Sequence, residues 1–430
     1  MKSMTVSPTL LRLTICLWLC MLPNLLSAQR RVDGYVVDDK TGERLSYVKF
    51  YVRAGHGTLS NFDGDYMLEV MPEDSVIITH IGYKQLRLKA ADLPRTVRLQ
   101  PMNIMLNEIV VHPVDADAVL KKVIRRLKRD HEKHASEMSA YFMRITCWDK
   151  FGKELIEAFT DAFSAVNINR LSINSGIKNM DEAKDERHME IKSTNVHQIL
   201  EGGPMTFESR SWALRKVPLN DYKSVKELYD ISAYRMTGDD AQPLYRIEMK
   251  FKGEWPEVKA SKKASSASQS GGFFSALYGD ISQSRSKNHP PLLEGTLYVR
   301  QEDYALMRFD GKVMNQLMKV EGQIDTLNLN LHIQYEHNRG FTEVSHIAAE
   351  GNHPKLQFHA LLFNLHTEVE SKLGKIVGGN LLNAVQEAGY DSELWKQYDI
   401  IRRTEEEEKI AFGRKDEGDT PPLPDAIRND

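Results

Sequence analysis

The stretch GYVVDDKTGERLSYVKFYVRAGHGTLSNFDGDYMLEV, from Gly34 to Val70, decides the fold of the N-terminal part of this chain. It continues as VIITHIGYKQLRLKA (76–90), TVRLQ (96–100) and LNEIVVHP (106–113). Short runs rich in Val, Ile, Tyr and Phe recur about every ten residues, with turn residues between them. This spacing is typical of a small all-β sandwich, and we predict a seven-stranded one over residues 29–113.

Turn chemistry adds detail at two glycines. Asp63-Gly64 lies between TLSNF and YMLEV. A two-residue turn needs positive φ, which Gly adopts without steric cost, so we predict a hairpin here. Gly82 interrupts a strand-like run and indicates a bulge or a close backbone approach. Asn61, Asp63 and Asp65 alternate like the first ligands of a calcium loop, but the bidentate Glu is missing, which favours an ordinary acidic turn.

The stretch resembles a carboxypeptidase-like regulatory domain at several short motifs. They are Gly34-x-Val36 with Asp38 to Gly42, Leu45-x-Tyr47-Val48, Asp63-Gly64-x-Tyr66, Ile81-Gly82-Tyr83 and Leu106-x-Glu108-Ile109-Val110-Val111. The resemblance implies a transthyretin-like β-sandwich in a protein of the Gram-negative envelope. Such a domain is similar to the accessory domain of some metallocarboxypeptidases and to the N-terminal extension of TonB-dependent receptors. A fold of this kind implies no particular chemistry.

Residues 1–28 have the pattern of a secretory signal peptide. Lys2 and Arg12 precede an apolar run (13–26) that is too short to span a bilayer, and small residues follow at Ser27-Ala28. We predict cleavage after Ala28 and localisation in the periplasm or at the outer membrane. Bulky residues precede Cys20 where a lipoprotein signal needs a small one, so we expect no N-terminal lipid.

The mature chain keeps one cysteine. Of three cysteines, Cys16 and Cys20 leave with the signal, so only Cys147 remains and no disulfide can form within the chain. Without Lys2 and Arg12 the 57 basic residues fall to 55, against 60 acidic ones. This slightly acidic balance gives no indication of nucleic-acid binding.

An amphipathic basic helix is predicted over residues 114–136. Asp115 is placed to cap it. An apolar stripe with helical spacing follows, made of Leu120, Val123, Ile124 and Leu127. Other positions carry cations, namely Lys121, Lys122, Arg125, Arg126, Lys128 and Arg129. Two interpretations stay open: a solvated face, or a contact face for anionic lipid or a partner protein.

From residue 137 to 372, apolar residues recur at every second position instead of at helical spacing. This alternation predicts a larger antiparallel β-meander. The clearest strand is 327–335, where apolar residues alternate with polar ones. One face of this strand is therefore apolar, and the other is polar and faces solvent. The order of sandwich, basic helix and aromatic-x-Arg strand (Tyr141-Phe142-x-Arg144) also resembles a set of uncharacterised envelope proteins.

Two segments could cover the apolar face. Residues 259–291 are rich in Ser, Gly and Lys, which is typical of a mobile insertion loop. Four apolar residues in it form either a lid that contacts a ligand or partner, or a short packed helix: Phe273, Phe274, Leu277 and Tyr278. Residues 373–430 are predicted to be helical, with Trp395 and Tyr398 as packing anchors and an acidic, solvated tail at the end.

Candidate metal ligands occur at two places. His134 and Glu137 have the H-x-x-E spacing of metallocarboxypeptidase zinc ligands, but they lie at the end of a basic helix beside Lys133, which would repel a cation. Six histidines crowd the later strands without carboxylates at ligand spacing: His332, His337, His346, His353, His359 and His366. We therefore predict no metal and no cofactor.

No catalytic constellation is complete in the sequence. Ser175-x-x-Lys178 and Ser284-x-x-Lys287 match S-x-x-K without the partner motifs of acylating enzymes. Cys147 lies in an alternating strand, where burial would raise its pKa and make it a core residue. We predict no enzymatic activity.

Two functional hypotheses follow. The first is an exported, non-enzymatic envelope protein that binds a partner at the outer membrane, such as a receptor or transport system. The second is a periplasmic carrier that holds a hydrophobic ligand on a half-open β sheet. Neither hypothesis predicts an oligomeric state. Native mass spectrometry of the protein purified from envelope would separate them, because a lipid or a protein would co-purify.

Overall fold

The computed structural model describes residues 30–53, 56–101, 114–134, 136–164, 189–200, 222–238, 241–253, 292–321, 323–367, 381–398 and 401–413. These residues form two compact units. The first comprises 30–101 with 401–402, and the second comprises 114–398 with 403–413. The predicted signal peptide and the loop 259–291 lie outside the described residues. No described helix is both long enough and apolar enough to cross a membrane.

The first unit is a sandwich of two sheets with seven strands in its described part. The strands are β1 (Arg30–Asp38), β2 (Lys49–Arg53), β3 (His56–Leu59), β4 (Asp65–Val70), β5 (Ser75–Thr79), β6 (Leu86–Lys89) and β7 (Thr96–Leu99). One sheet has the order β4-β1-β7 and the other the order β3-β2-β5-β6. The strand pairs are antiparallel except for β1 with β7. The predicted seven-stranded sandwich is confirmed.

Alternation along the strands builds the core of this sandwich. In β4 every second residue is buried, namely Tyr66, Leu68 and Val70. The ring of Phe50 from β2 stacks on Tyr66 with the centroids 4.3 Å apart. Each large apolar side chain that is buried in this way contributes about 1.5–3 kcal/mol. Because the described cysteine lies in the other unit, burial stabilises this sandwich without a cross-link.

The Asp63-Gly64 turn forms, but the hairpin prediction is wrong. Gly64 has a φ of +80°, and its N–H donates to the carbonyl of Asn61 at 3.0 Å. Strand β3 pairs with β2, whereas β4 pairs with β1. The turn therefore carries the chain from one sheet to the other, since local turn chemistry does not specify the pairing partner. Asp65 pairs with Arg44 at 2.9 Å, as in an ordinary acidic turn.

Gly82 lies in a turn rather than in a bulge or at a close approach. It follows β5, where the N–H of Tyr83 donates to the carbonyl of His80 at 3.0 Å. A Cβ on Gly82 would meet no atom within 4 Å. The positive φ of +91° is what favours glycine here.

The second unit is a ten-stranded antiparallel sheet in its described part. The strands are β8 (Met138–Trp148), β9 (Lys153–Phe163), β10 (Met189–Gln198), β11 (Tyr229–Gly238), β12 (Ala241–Phe251), β13 (Leu292–Arg300), β14 (Leu306–Val320), β15 (Gln323–Glu336), β16 (Glu343–His353) and β17 (Leu356–Thr367). Their order is β10-β9-β8-β17-β16-β15-β14-β13-β12-β11. Consecutive strands are neighbours, except that β10 and β11 form the two edges and β17 pairs with β8. This confirms the predicted meander.

The apolar face of β15 is confirmed and is covered. Leu327, Leu329, Leu331, Ile333 and Tyr335 are each only 1–4% exposed. They belong to the same core cluster as the apolar stripe of helix α1 (Ala116–His134). These five side chains therefore do not present the open apolar face that the carrier hypothesis assumes.

The described C-terminal segment is helical, as predicted. The remaining helices of the second unit are α2 (Tyr222–Leu228), α3 (Leu381–Ala388), α4 (Ser392–Gln397) and α5 (Glu405–Phe412). Trp395 packs against Phe159 of β9 with ring centroids 4.7 Å apart, and its indole N–H donates to Ser193 of β10 at 2.8 Å. Tyr398 also packs on Phe159, at 5.5 Å. Both predicted anchors therefore contact the sheet.

A buried charge network joins α5 to β8 and β9. Glu157, which is 0% exposed, accepts hydrogen bonds from Arg144 Nε at 2.7 Å and Arg403 Nη2 at 2.6 Å. Arg144 Nη1 also donates to Glu407 at 3.2 Å, and Thr146 Oγ1 donates to the same carboxylate at 3.0 Å. Burial alone would raise the pKa of Glu157, but attraction to Arg403 and Arg144 holds it well below its ordinary value. The carboxylate therefore stays charged inside the protein.

Candidate functional site

Helix α1 carries the candidate site. Asp115 Oδ1 accepts the N–H of Ala118 at 3.0 Å, so the predicted cap is confirmed. The predicted apolar stripe is also confirmed, because Leu120, Val123, Ile124 and Leu127 are all buried. These side chains pack into the core of the second unit and fix which side of α1 faces outward.

Arg126 does not lie on the outward side of α1, although it was predicted to be one of six cations on that side. It is 9% exposed, and its guanidinium contacts Asp130 at 3.2 Å and Asp303 at 2.5 Å. Asp130 Oδ2 also accepts the N–H of Thr342 at 3.1 Å. Hydrogen bonds from Arg300 hold the pKa of Asp303 well below its ordinary value, so the partner of Arg126 is charged. Arg126 therefore links α1 to the turn that contains Asp303. The prediction that Arg126 belongs to the contact face is wrong, because its side chain is buried.

Six cations of α1 are exposed and define what we call the cationic face: Lys121, Lys122, Arg125, Lys128, Arg129 and Lys133. Glu132 is the single exposed acidic residue within the helix. Residues three and four apart lie side by side on a helix, so these positions form one continuous surface. Lys133 is not among the cations predicted to form a contact face, although it lies four residues after Arg129 and therefore on the same side of the helix.

The charges of the cationic face are largely uncompensated. Lys121 lies over the neutral ring of Tyr222 at 4.5 Å. Lys122 donates to the hydroxyl of Tyr304 at 2.8 Å. Arg129 reaches Asp130 at 3.4 Å, but that carboxylate is shared with Arg126. Within the described residues, three cations form no ion pair at all: Arg125, Lys128 and Lys133.

The H-x-x-E pair is engaged in other contacts. Glu137 Oε2 pairs with Arg339 at 2.9 Å, and His134 Nδ1 lies 3.9 Å from the same carboxyl group. The His134 ring stacks on Phe341 with the centroids 4.2 Å apart. Glu137 is therefore the ion-pair partner of Arg339, and His134 packs on an aromatic ring.

The six histidines are distributed along three strands and one turn. His332 Nδ1 contacts Asp310 at 2.6 Å, and its ring stacks on His346 at 5.2 Å. Burial lowers the pKa of His332, and burial with repulsion from nearby arginines lowers the pKa of His337 to about 4. The others lie on β16 and β17, namely His353, His359 and His366. Within the described ranges, no three His, Cys, Asp or Glu side chains group as metal ligands.

Cys147 is a core residue. It is 0% exposed, and its Sγ lies 3.6 Å from Glu154 Oε1. Burial raises the pKa of the thiol well above its ordinary value, and the charge of Glu154 adds to this effect. The thiolate that would act as a nucleophile is therefore disfavoured.

We expect Cys147 to resist thiol-specific labelling in the native protein. A maleimide reagent should leave the mature, folded chain unmodified at neutral pH and react fully in guanidinium chloride, as judged by mass spectrometry. The mature chain has no second thiol to obscure the result. Rapid native labelling would contradict the buried position.

Phe273, Phe274, Leu277 and Tyr278 lie outside the described residues, so their contact with a ligand or partner stays a prediction.

No protein-family model matches this chain, and no curated protein matches it. It is similar to a solved DUF1329 family protein from Desulfovibrio piger ATCC 29098, with 9% identity, 59% of this chain and 95% of that chain covered, and a TM-score of 0.26. It is also similar to a putative outer membrane lipoprotein-sorting protein domain from Vibrio parahaemolyticus, with 7% identity, coverage of 62% and 99%, and a TM-score of 0.25. Similarity this low carries no argument about function. The resemblance to a carboxypeptidase-like regulatory domain likewise stays a proposal.

Proposed function

We propose that this chain is an exported, non-enzymatic envelope protein that docks on an anionic partner through the cationic face of α1. The observation that carries the proposal is the one-sided distribution of charge on this helix. Six exposed cations face outward with one exposed acid, while the apolar stripe is buried. The mature chain as a whole is slightly acidic, so this local surface differs in sign from the average.

The contacts of the chemically versatile side chains support a binding role. The Cys147 thiol is buried, Glu137 is paired with Arg339, and His332 is held by Asp310. Each of these groups stabilises the fold in a specific contact. The cationic face, by contrast, lies on the surface, and within the described residues Arg125, Lys128 and Lys133 form no ion pair.

The carrier hypothesis remains the alternative proposal. It requires a hydrophobic ligand to replace part of the cover over the apolar face of β15, whose side chains are 1–4% exposed. A protein purified from envelope with a stoichiometric lipid would favour the carrier. Docking through α1 predicts instead that the purified protein is free of buried lipid.

We expect the wild-type protein to be found in the envelope fraction of Gram-negative host cells and to be released by a high-salt wash, because salt screens exposed charges. Arg125→Glu with Lys128→Glu should shift the protein to the soluble fraction. The matched control is Arg235→Glu with Lys250→Glu, which makes the same change of net charge at two exposed positions of the sheet. Equal envelope retention of the two double variants would contradict docking through α1.

A further inference from the structure

We infer that the anionic partner of the cationic face is a bilayer surface that carries anionic phospholipid headgroups. This inference rests on the proposed function and names its partner. It follows from the composition, the shape and the fixed orientation of the cationic face.

The composition of the face fits a lipid surface better than a protein interface. Four of its six cations are lysines, and the exposed residues of α1 include no aromatic or aliphatic side chain. Protein–protein interfaces need a desolvated core, which is enriched in aromatic residues and Arg and depleted in Lys. A lysine ammonium is strongly hydrated. Attraction to a negative surface potential acts on hydrated charges, so it needs no such core.

The shape of the face fits an extended charged plane. From Lys121 to Lys133 the helix rises about 18 Å at 1.5 Å per residue. The Cβ atoms of residues three or four apart on a helix lie about 5–6 Å from each other, which is less than the Debye length of about 8 Å at physiological ionic strength. Neighbouring cations of the face therefore act together on one surface. A single phosphate group would engage only part of this length.

The orientation of the face is fixed before binding. The buried stripe, the contact of Arg126 with Asp303 and the hydrogen bond from Thr342 to Asp130 prevent α1 from rotating its apolar side toward lipid. Binding is therefore electrostatic, without insertion of apolar side chains. This separates it from amphipathic helices that bury a hydrophobic face in the bilayer.

The test is co-sedimentation of the mature protein with large vesicles. We expect binding to vesicles that contain phosphatidylglycerol, none to vesicles of phosphatidylcholine alone, and release as the salt concentration rises. Each exposed cation near such a surface is worth about 1 kcal/mol, so Arg125→Gln with Lys128→Gln should weaken binding roughly 30-fold. The control Arg235→Gln with Lys250→Gln should bind like wild type. Thermal melts should show that both double variants stay folded, because all four positions are exposed.

Two outcomes would overturn the inference. One is vesicle binding that survives high salt or is equal in the two double variants. The other is no binding to phosphatidylglycerol vesicles by a protein that is nevertheless held in the cell envelope through Arg125 and Lys128. In that second case the partner is an anionic protein or polysaccharide, and the proposed function stands without the lipid.

Discussion

Replacing Glu157 with Ala is expected to lower the free energy of unfolding of the second unit by about 3–5 kcal/mol. The change removes the carboxylate that Arg144 and Arg403 share, so that Arg144 keeps only its longer contact with Glu407 and Arg403 loses both of its hydrogen bonds to Glu157. Removing one partner of a buried ion pair costs far more than the pair itself contributes, because the remaining charge has lost its hydration. The loss should appear as a lower urea midpoint followed by tryptophan fluorescence, to which Trp395 on the same two strands contributes.

Removal of an exposed glutamate, Glu405, is the control for the Glu157 substitution. Glu405 pairs with Lys409 at 2.9 Å, but its side chain is 85% exposed. Exposed pairs are worth at most about 1 kcal/mol. Glu405→Ala should therefore leave the midpoint almost unchanged. Equal effects of Glu157→Ala and Glu405→Ala would mean that the network around Glu157 does not stabilise the unit.

The same network has a pH dependence of defined sign. The pKa of Glu157 is lower in the folded chain than the ordinary value of 4.5. A carboxyl group of this kind contributes stability that is full above the unfolded pKa and is lost as the pH falls through the folded pKa. The difference in unfolding free energy between wild type and Glu157→Gln should therefore be constant at neutral pH and shrink in acid. A difference that grows in acid would contradict the assignment.

Sequence patterns predict the elements well where one period dominates. The strand spacing of residues 34–100 and the alternation in Leu327 to Tyr335 reflect burial of one side of each strand, which is a local property. The partner of a strand is not local. Asp63-Gly64 predicts a chain reversal, yet the strands on either side belong to different sheets.

The candidate site is predicted only in part, because some of its contacts are local in the sequence and others are not. Helical spacing identifies the buried stripe of α1 and most of the cationic face. It cannot separate Arg126 from Arg125, because the burial of Arg126 depends on Asp303, which lies 177 positions later in the chain. The contact between Arg144 and Glu407 spans 263 positions and has no local sequence signal either.

Buried charges and exposed charges therefore have opposite roles in the second unit. Arg126, Arg144 and Arg403 are paired and fix elements to the sheet. The cations of the cationic face are hydrated and held in place by the buried side of the same helix. Substitutions in the first group should change stability, and substitutions in the second group should change binding without changing stability.

The second large effect is expected at Gly34 in the sandwich. Gly34 lies opposite Tyr66 in β1, and a Cβ added to it would lie 2.1 Å from the carbonyl oxygen of Arg95. That oxygen accepts the N–H of Tyr35 at 2.8 Å, and the adjacent carbonyl of Pro94 accepts the hydroxyl of Tyr66 at 3.0 Å. The backbone at Pro94 and Arg95 therefore accepts hydrogen bonds from both β1 and β4, and it cannot move away from a new side chain without losing them.

Gly34→Ala should therefore lower the free energy of unfolding of the first unit by roughly 3 kcal/mol, the upper part of the range for overpacking, and Gly34→Val by more. Hydrogen exchange is the appropriate measurement in the whole chain, because it reports each unit separately. Amides of β1 and β7 should exchange faster in the variant, while those of β14 and β15 should be unchanged. Asp33→Ala is the control, because Asp33 precedes Gly34 in β1 but its side chain is 56% exposed and lies 3.8 Å from Arg402. Unchanged protection of β1 in Gly34→Val would show that the strand has room for a side chain at this position, in conflict with the close approach of Arg95.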